Sequence, residues 1–149
     1  MSCNYRLHER LGYKVSRLAR LMEAQLEEMI SPFGITRLMW CILSGVGLED
    51  VKTPSELANY VGIARSAISR ALRSMEEMEL ITRCGAEGDG RGVEIVLTAK
   101  GRDVMEKCRP LVERLNSHFT TKLANGDLES VLVHIDALSA GETRELSRL

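Results

Sequence analysis

The stretch from Thr53 to Leu97 constrains the fold more than any other, because its local signals leave the backbone few choices. Thr53-Pro54-Ser55-Glu56 is a helix start: Thr53 can cap, Pro54 suits the first helical position, and Glu56 can close a capping box. A short helix runs from there to Val61. Gly62 then ends it and opens a tight turn, since glycine takes a positive φ without steric cost. A second helix follows from about Arg65 to Glu77. Its Ile68, Ala71, Leu72 and Met75 form an apolar side, while Ser66, Ser69, Arg70 and Arg73 lie opposite. Leu80 to Arg83 and Val93 to Leu97 are β-prone runs around the glycine-rich Gly85 to Gly92, which predicts a hairpin with a long tip.

The flanks are helical. Leu7, Leu11, Val15, Leu18, Met22, Leu26 and Met29 recur in steps of three or four and predict one long helix, ended by Ser31-Pro32-Phe33-Gly34. Leu38 to Leu48 is apolar nearly all round, as a central buried helix would be. Thr98 caps another long helix with an inward stripe of Val104, Cys108, Leu111, Leu115, Phe119 and Leu123, and Pro110 should bend it. Asp127 is expected to cap a last helix carrying Leu128, Val131, Leu132, Ile135 and Leu138. The fold class is therefore mainly α with a small β-hairpin, in one domain of 149 residues. The outer helices carry more apolar stripe than such a core can cover, so part of it should meet a second subunit.

Two helices joined at Gly62, followed at once by a glycine-rich hairpin, describe a winged helix-turn-helix. A helix of this kind enters the major groove and presents its N-terminal residues to base edges. Arg65, Ser66, Ala67, Ser69, Arg70 and Arg73 fall in that role, with Ala67 available to a thymine methyl. The net charge of −1 does not by itself advertise DNA binding. Between Ile63 and Arg73, however, there are three arginines and no acidic residue. HExxH, Walker and GxSxG signatures are absent, and His8, His118 and His134 sit on separate segments, so the sequence predicts no enzyme. Cys3, Cys41, Cys84 and Cys108 lack the spacing of a zinc site, and no cofactor is expected. Charges within Met1 to Arg10 and the lack of a long apolar run predict a soluble, cytoplasmic protein without a membrane partner.

These motifs resemble the MarR family over nearly the whole chain. TPSELANYVGIARSAISRALRSMEEMELITR is similar to its helix-turn-helix, and GDGRGVEIVLTAKG to its wing and the start of its dimer helix. The resemblance implies a winged helix-turn-helix lobe over about 36–98 and dimerisation helices over about 5–31 and 99–147. It implies a homodimeric repressor on a pseudo-palindromic double-stranded DNA operator. Asp89 and Arg91 would shape the wing tip, with an arginine entering the minor groove. Ala64 stands where a capping side chain is usual, Glu79 where a turn glycine is common, and Gly90 where many relatives have another arginine.

The resemblance also implies release from DNA by a small aromatic or phenolic acid in a cleft between the dimer helices and the DNA-binding lobe. His8, Tyr13, Arg17, Met39 and Trp40 are the expected lining. Two alternatives stay open: peroxide sensing through Cys3, as in some relatives, and a winged-helix module that binds protein, which the acidic Glu87 and Asp89 would favour.

Overall fold

The computed structural model describes residues 4–85 and 92–149. A short 3-10 turn, Leu7–Glu9, precedes α1 (Leu11–Ile30); α2 (Arg37–Leu48), α3 (Pro54–Val61) and α4 (Arg65–Glu77) follow. The strands β1 (Ile81–Gly85) and β2 (Val93–Leu97) then lead into α5 (Ala99–Thr120) and α6 (Asp127–Ser139). The strands pair antiparallel with Ile81 opposite Leu97 and Gly85 opposite Val93.

The core lies where α2, α3, α4, the hairpin and the first half of α5 meet. α2 contributes Met39, Trp40, Ile42 and Leu43, which explains its nearly continuous apolarity. Leu57 from α3 and Ile68, Leu72 and Met75 from α4 close over them, and Leu80, Ile81, Ile95 and Leu97 root the hairpin in the same core. Among the described residues no single helix is long and apolar enough to cross a membrane.

The capping box forms as its residue types require. The Glu56 N–H donates to Thr53 Oγ1 at 3.2 Å, and the N–H groups of Thr53 and Lys52 donate to Glu56 Oε2 at 2.9 and 3.0 Å. Those backbone donors hold the Glu56 carboxyl below its usual pKa. Thr53→Ala should lower stability by about 1 kcal/mol, read as a shifted denaturant midpoint at constant m.

Three expectations need correction. The stripe beginning at Leu7 does not lie on one helix: Arg10 is extended (φ −79°, ψ 135°), and α1 starts at Leu11. Asp127 is the first residue of α6, not its cap; Gly126 holds the cap position in the left-handed region at φ 87°, and Asp127 instead places a negative charge in the first turn. On α5 the expected Cys108 and Leu115 are buried, but Gly101 and Met105 are buried with them in place of the rest of the expected stripe. Val104, Leu111 and Phe119 are half-buried and Leu123 lies beyond the helix end. The difference follows from close packing at Gly101, which lies against the Leu80 carbonyl. The helix continues through Pro110.

Candidate nucleic-acid interface

The turn between α3 and α4 is built by one backbone conformation. Gly62 sits at φ 80°, ψ 32°, and its N–H reaches back to the Ala58 carbonyl at 2.9 Å, ending α3 and releasing the chain into α4. Ile63 is buried and anchors the turn from beneath.

α4 then divides by face. Ala67, Ile68, Leu72 and Met75 are buried, while Arg65, Ser66, Arg70 and Arg73 are exposed and Ser69 is half-buried. Ala67 corrects the sequence reading. At 6% exposure it belongs to the core side, because it lies one position from Ile68 on the rim of the apolar arc, and it is not displayed to a thymine methyl.

Among the described residues, the guanidinium groups of Arg65, Arg70 and Arg73 have no carboxylate within salt-bridge distance. Other cations are committed: Arg83 to Glu76 at 3.2 Å, Arg37 to Glu23 at 3.0 Å and Lys52 to Asp50 at 3.1 Å. The exposed side of α4 is therefore a row of uncommitted donors that match phosphate oxygens and guanine edges.

The hairpin is fastened at the far end of α4. Glu79 turns the chain at φ 59°, a left-handed position without glycine, and Thr98 Oγ1 donates to the Glu79 carbonyl at 2.5 Å. Lys100 Nζ donates to the Met78 carbonyl at 2.8 Å, and the Ile95 N–H donates to the Lys52 carbonyl at 2.7 Å. Asp89 and Arg91 lie outside the described residues, as do Cys3 and Glu87.

The expected effector residues do not converge within one chain. His8, Tyr13 and Arg17 border a shallow groove with Lys14, Leu18 and Leu21, and the His8 and Tyr13 rings meet edge to face with centroids 4.7 Å apart. Trp40 and Met39 are buried in the core, where α2 is enclosed by α3, α4 and α5; the edge of Met39 reaches a different cleft, beside Arg70. Burial pushes the thiols of Cys41 and Cys108 up, the opposite of what a reactive thiolate needs.

One contact near α4 has no signal in the sequence. Ala64 offers α4 no capping side chain, and its N–H donates to the Leu146 carbonyl at 2.6 Å, where the chain beyond α6 returns.

A short α3, a Gly62 turn, a basic α4 and a two-stranded hairpin form a winged helix-turn-helix, and residues 33–92 match the model described as MarR family. Over residues 33–92 the chain is therefore similar to the MarR family. The whole architecture is similar to solved structures. A mutant of MarR from E. coli complexed with operator DNA is 24% identical, with a TM-score of 0.77 over 86% of this chain and 92% of that one. MepR of S. aureus in a DNA complex is 19% identical, with a TM-score of 0.79 over 87% and 96%. CouR from Rhodococcus jostii RHA1, bound to p-coumaroyl-CoA, is 17% identical, with a TM-score of 0.81 over 95% and 100%. The structural likeness extends past residues 33–92 into α1, α5 and α6, so the fold is shared nearly end to end.

Proposed function

We propose that this chain is a transcriptional regulator that binds double-stranded DNA sequence-specifically through α4, acting as a homodimer on a pseudo-palindromic operator. The observation that carries the reading is the set of three exposed arginines on one side of α4, without a carboxylate partner among the described residues, behind a Gly62 turn and beside a rooted hairpin. Arg65, Ser66, Ser69, Arg70 and Arg73 are the reading residues; Arg91 and Asp89 are assigned to the wing tip. The similar MarR and MepR structures hold DNA, which supports this use of the fold. A dimer seated over a promoter blocks polymerase, so repression is the simplest outcome.

The experiment is binding to the DNA upstream of its own gene, against excess unrelated duplex, across a salt series. Specific binding that weakens steeply with salt is expected, because phosphate contacts release counterions. Weak association indifferent to sequence would favour a module that binds protein instead.

Dimerisation rests on apolar surface left uncovered by one chain. Leu11, Val15, Leu18 and Leu21 of α1 and Leu128, Val131, Leu132, Ile135 and Leu138 of α6 are all exposed, and α6 buries nothing. Apolar faces of that extent call for a partner. The protein should sediment as a dimer at micromolar concentration, and Leu132→Asp should shift it to monomer; a wild-type monomer would remove this part of the proposal. Half-sites would then lie about 10 base pairs apart.

Release by a small aromatic or phenolic acid is the regulatory part of the proposal. CouR is bound to p-coumaroyl-CoA, whose acyl group is phenolic, which supports the aromatic part of such a ligand. His8 from the 3-10 turn and Tyr13 and Arg17 from α1 supply a basic, aromatic groove suited to a carboxylate. A ligand acts only by binding the DNA-incompetent arrangement more tightly.

A further inference from the structure

The chain beyond α6 does not trail away from the fold. It comes back across the helix-turn-helix lobe, over the end of α4 that a DNA-reading helix presents first. Three observations place it there. Leu146 forms an isolated parallel bridge with Ile63, and its carbonyl takes the Ala64 N–H at 2.6 Å. Arg37 Nη2 donates to the Leu149 carbonyl at 3.0 Å, while Arg37 Nη1 is held by Glu23 of α1 at 3.0 Å. Two surface grooves are completed by this segment: Thr143 and Glu145 join Arg65 and Gly62 in one, and Ser147, Arg148 and Leu149 join Arg70 and Ala67 in the other.

The chemistry of the occupied position matters. The N-terminus of a helix presents unpaired N–H groups that bind phosphate, and α4 has no capping side chain to use them. A peptide carbonyl at the Ala64 N–H satisfies the same donor that a DNA phosphate would take. Glu145 also brings a carboxylate into the groove that Arg65 borders, a place where a phosphate charge would otherwise sit. The segment of residues 141–149 thus imitates backbone phosphate at one end of α4 and crowds Arg70 on its flank.

We infer that residues 141–149 form an autoinhibitory strap on α4 that DNA must displace. The inference rests on α4 being the DNA-reading helix. The equilibrium is then between a docked strap and an open, binding-competent lobe, and apparent affinity for DNA falls by the open fraction. Because Arg37 ties the strap to Glu23 of α1, a shift of α1 relative to α2 changes how firmly the strap is held.

The test compares the full chain with a chain ending at Ala140, and with full-length Arg37→Met, for binding to a mixed-sequence duplex at low salt. Hydrogen exchange at the Ala64 amide is followed by NMR in each. Removing the strap should tighten DNA binding about fivefold, the size expected for loss of one net hydrogen bond's worth of competition, and should speed Ala64 exchange. Arg37→Met should move both readouts the same way by less. Faster Ala64 exchange with unchanged DNA affinity would overturn the inhibitory role. Weaker DNA binding would overturn it too, by making Arg144 and Arg148 DNA contacts instead. Ala64 exchange that does not respond to truncation would show that the strap is not docked. Failure of every form to bind duplex would instead sink the DNA-binding reading and the strap's role with it, whatever Ala64 exchange showed.

Discussion

Gly101→Ala is expected to cost about 3 kcal/mol and lower Tm by roughly 6–12 °C, an unusual loss for adding one methyl group inside a helix. In most helices the same change is stabilising by up to about 1 kcal/mol, because alanine has the higher helix propensity. Here a Cβ would come within 2.0 Å of the Leu80 carbonyl oxygen and 2.9 Å of its carbon. The obstacle is backbone, so no side chain can rotate away. Relief requires α5 to move off the turn between α4 and β1. That movement strains the Thr98 N–H bond to the Leu80 carbonyl, 3.1 Å, and the Thr98 hydroxyl bond to Glu79. Since this turn fastens the hairpin to the helix-turn-helix lobe, the variant should also bind DNA less well at temperatures where it remains folded. Calorimetry settles the first part; a Tm equal to or above wild type would show that α5 is not seated against Leu80 as described.

The second large effect is on binding. Arg70→Ala combined with Arg73→Ala should weaken specific DNA affinity at least about 100-fold and reduce the salt slope by about 2 for each reading helix. Each substitution removes a charge-assisted contact worth about 1–3 kcal/mol, and among the described residues neither arginine has a carboxylate partner whose release could compensate. Both side chains are exposed, so stability should stay within about 0.5 kcal/mol of wild type, which separates lost contacts from lost structure. Arg70→Lys distinguishes the two roles of that residue: a phosphate contact keeps its salt slope, whereas a bidentate guanine contact loses discrimination at one base position. Wild-type affinity in the double alanine variant would mean that this side of α4 is a solvated surface.

The boundaries of α3 and α4 were legible because they depend on local chemistry. Thr53, Pro54 and Glu56 start a helix through bonds made within four residues, and Gly62 ends it through its own φ. α2 was legible as central for a related reason: apolar residues on every side require neighbours on every side. On α4 the arginines lie exposed and Ala67 is buried, which the sequence did not settle, since a small residue on the rim of an apolar arc can face either way until the neighbouring helices are placed. The inward face of α5 was legible only at Cys108 and Leu115, and Gly101 and Met105 were missed. Periodicity there shows two overlapping stripes, one for this chain's core and one left exposed, and nothing local says which is which.

What the sequence alone determined is the order of elements, the ends of the helices with strong caps, and the concentration of positive charge on the first part of one helix. These follow from torsional preference, capping and side-chain identity, which act over a few residues. Tertiary structure alone decided that Met39 and Trp40 lie apart from His8, Tyr13 and Arg17, that α5 presents Gly101 to the Leu80 carbonyl, and that Leu146 meets Ala64. Each depends on where two segments distant in sequence come to lie, and that is set by the packing of the whole core, which no local pattern encodes.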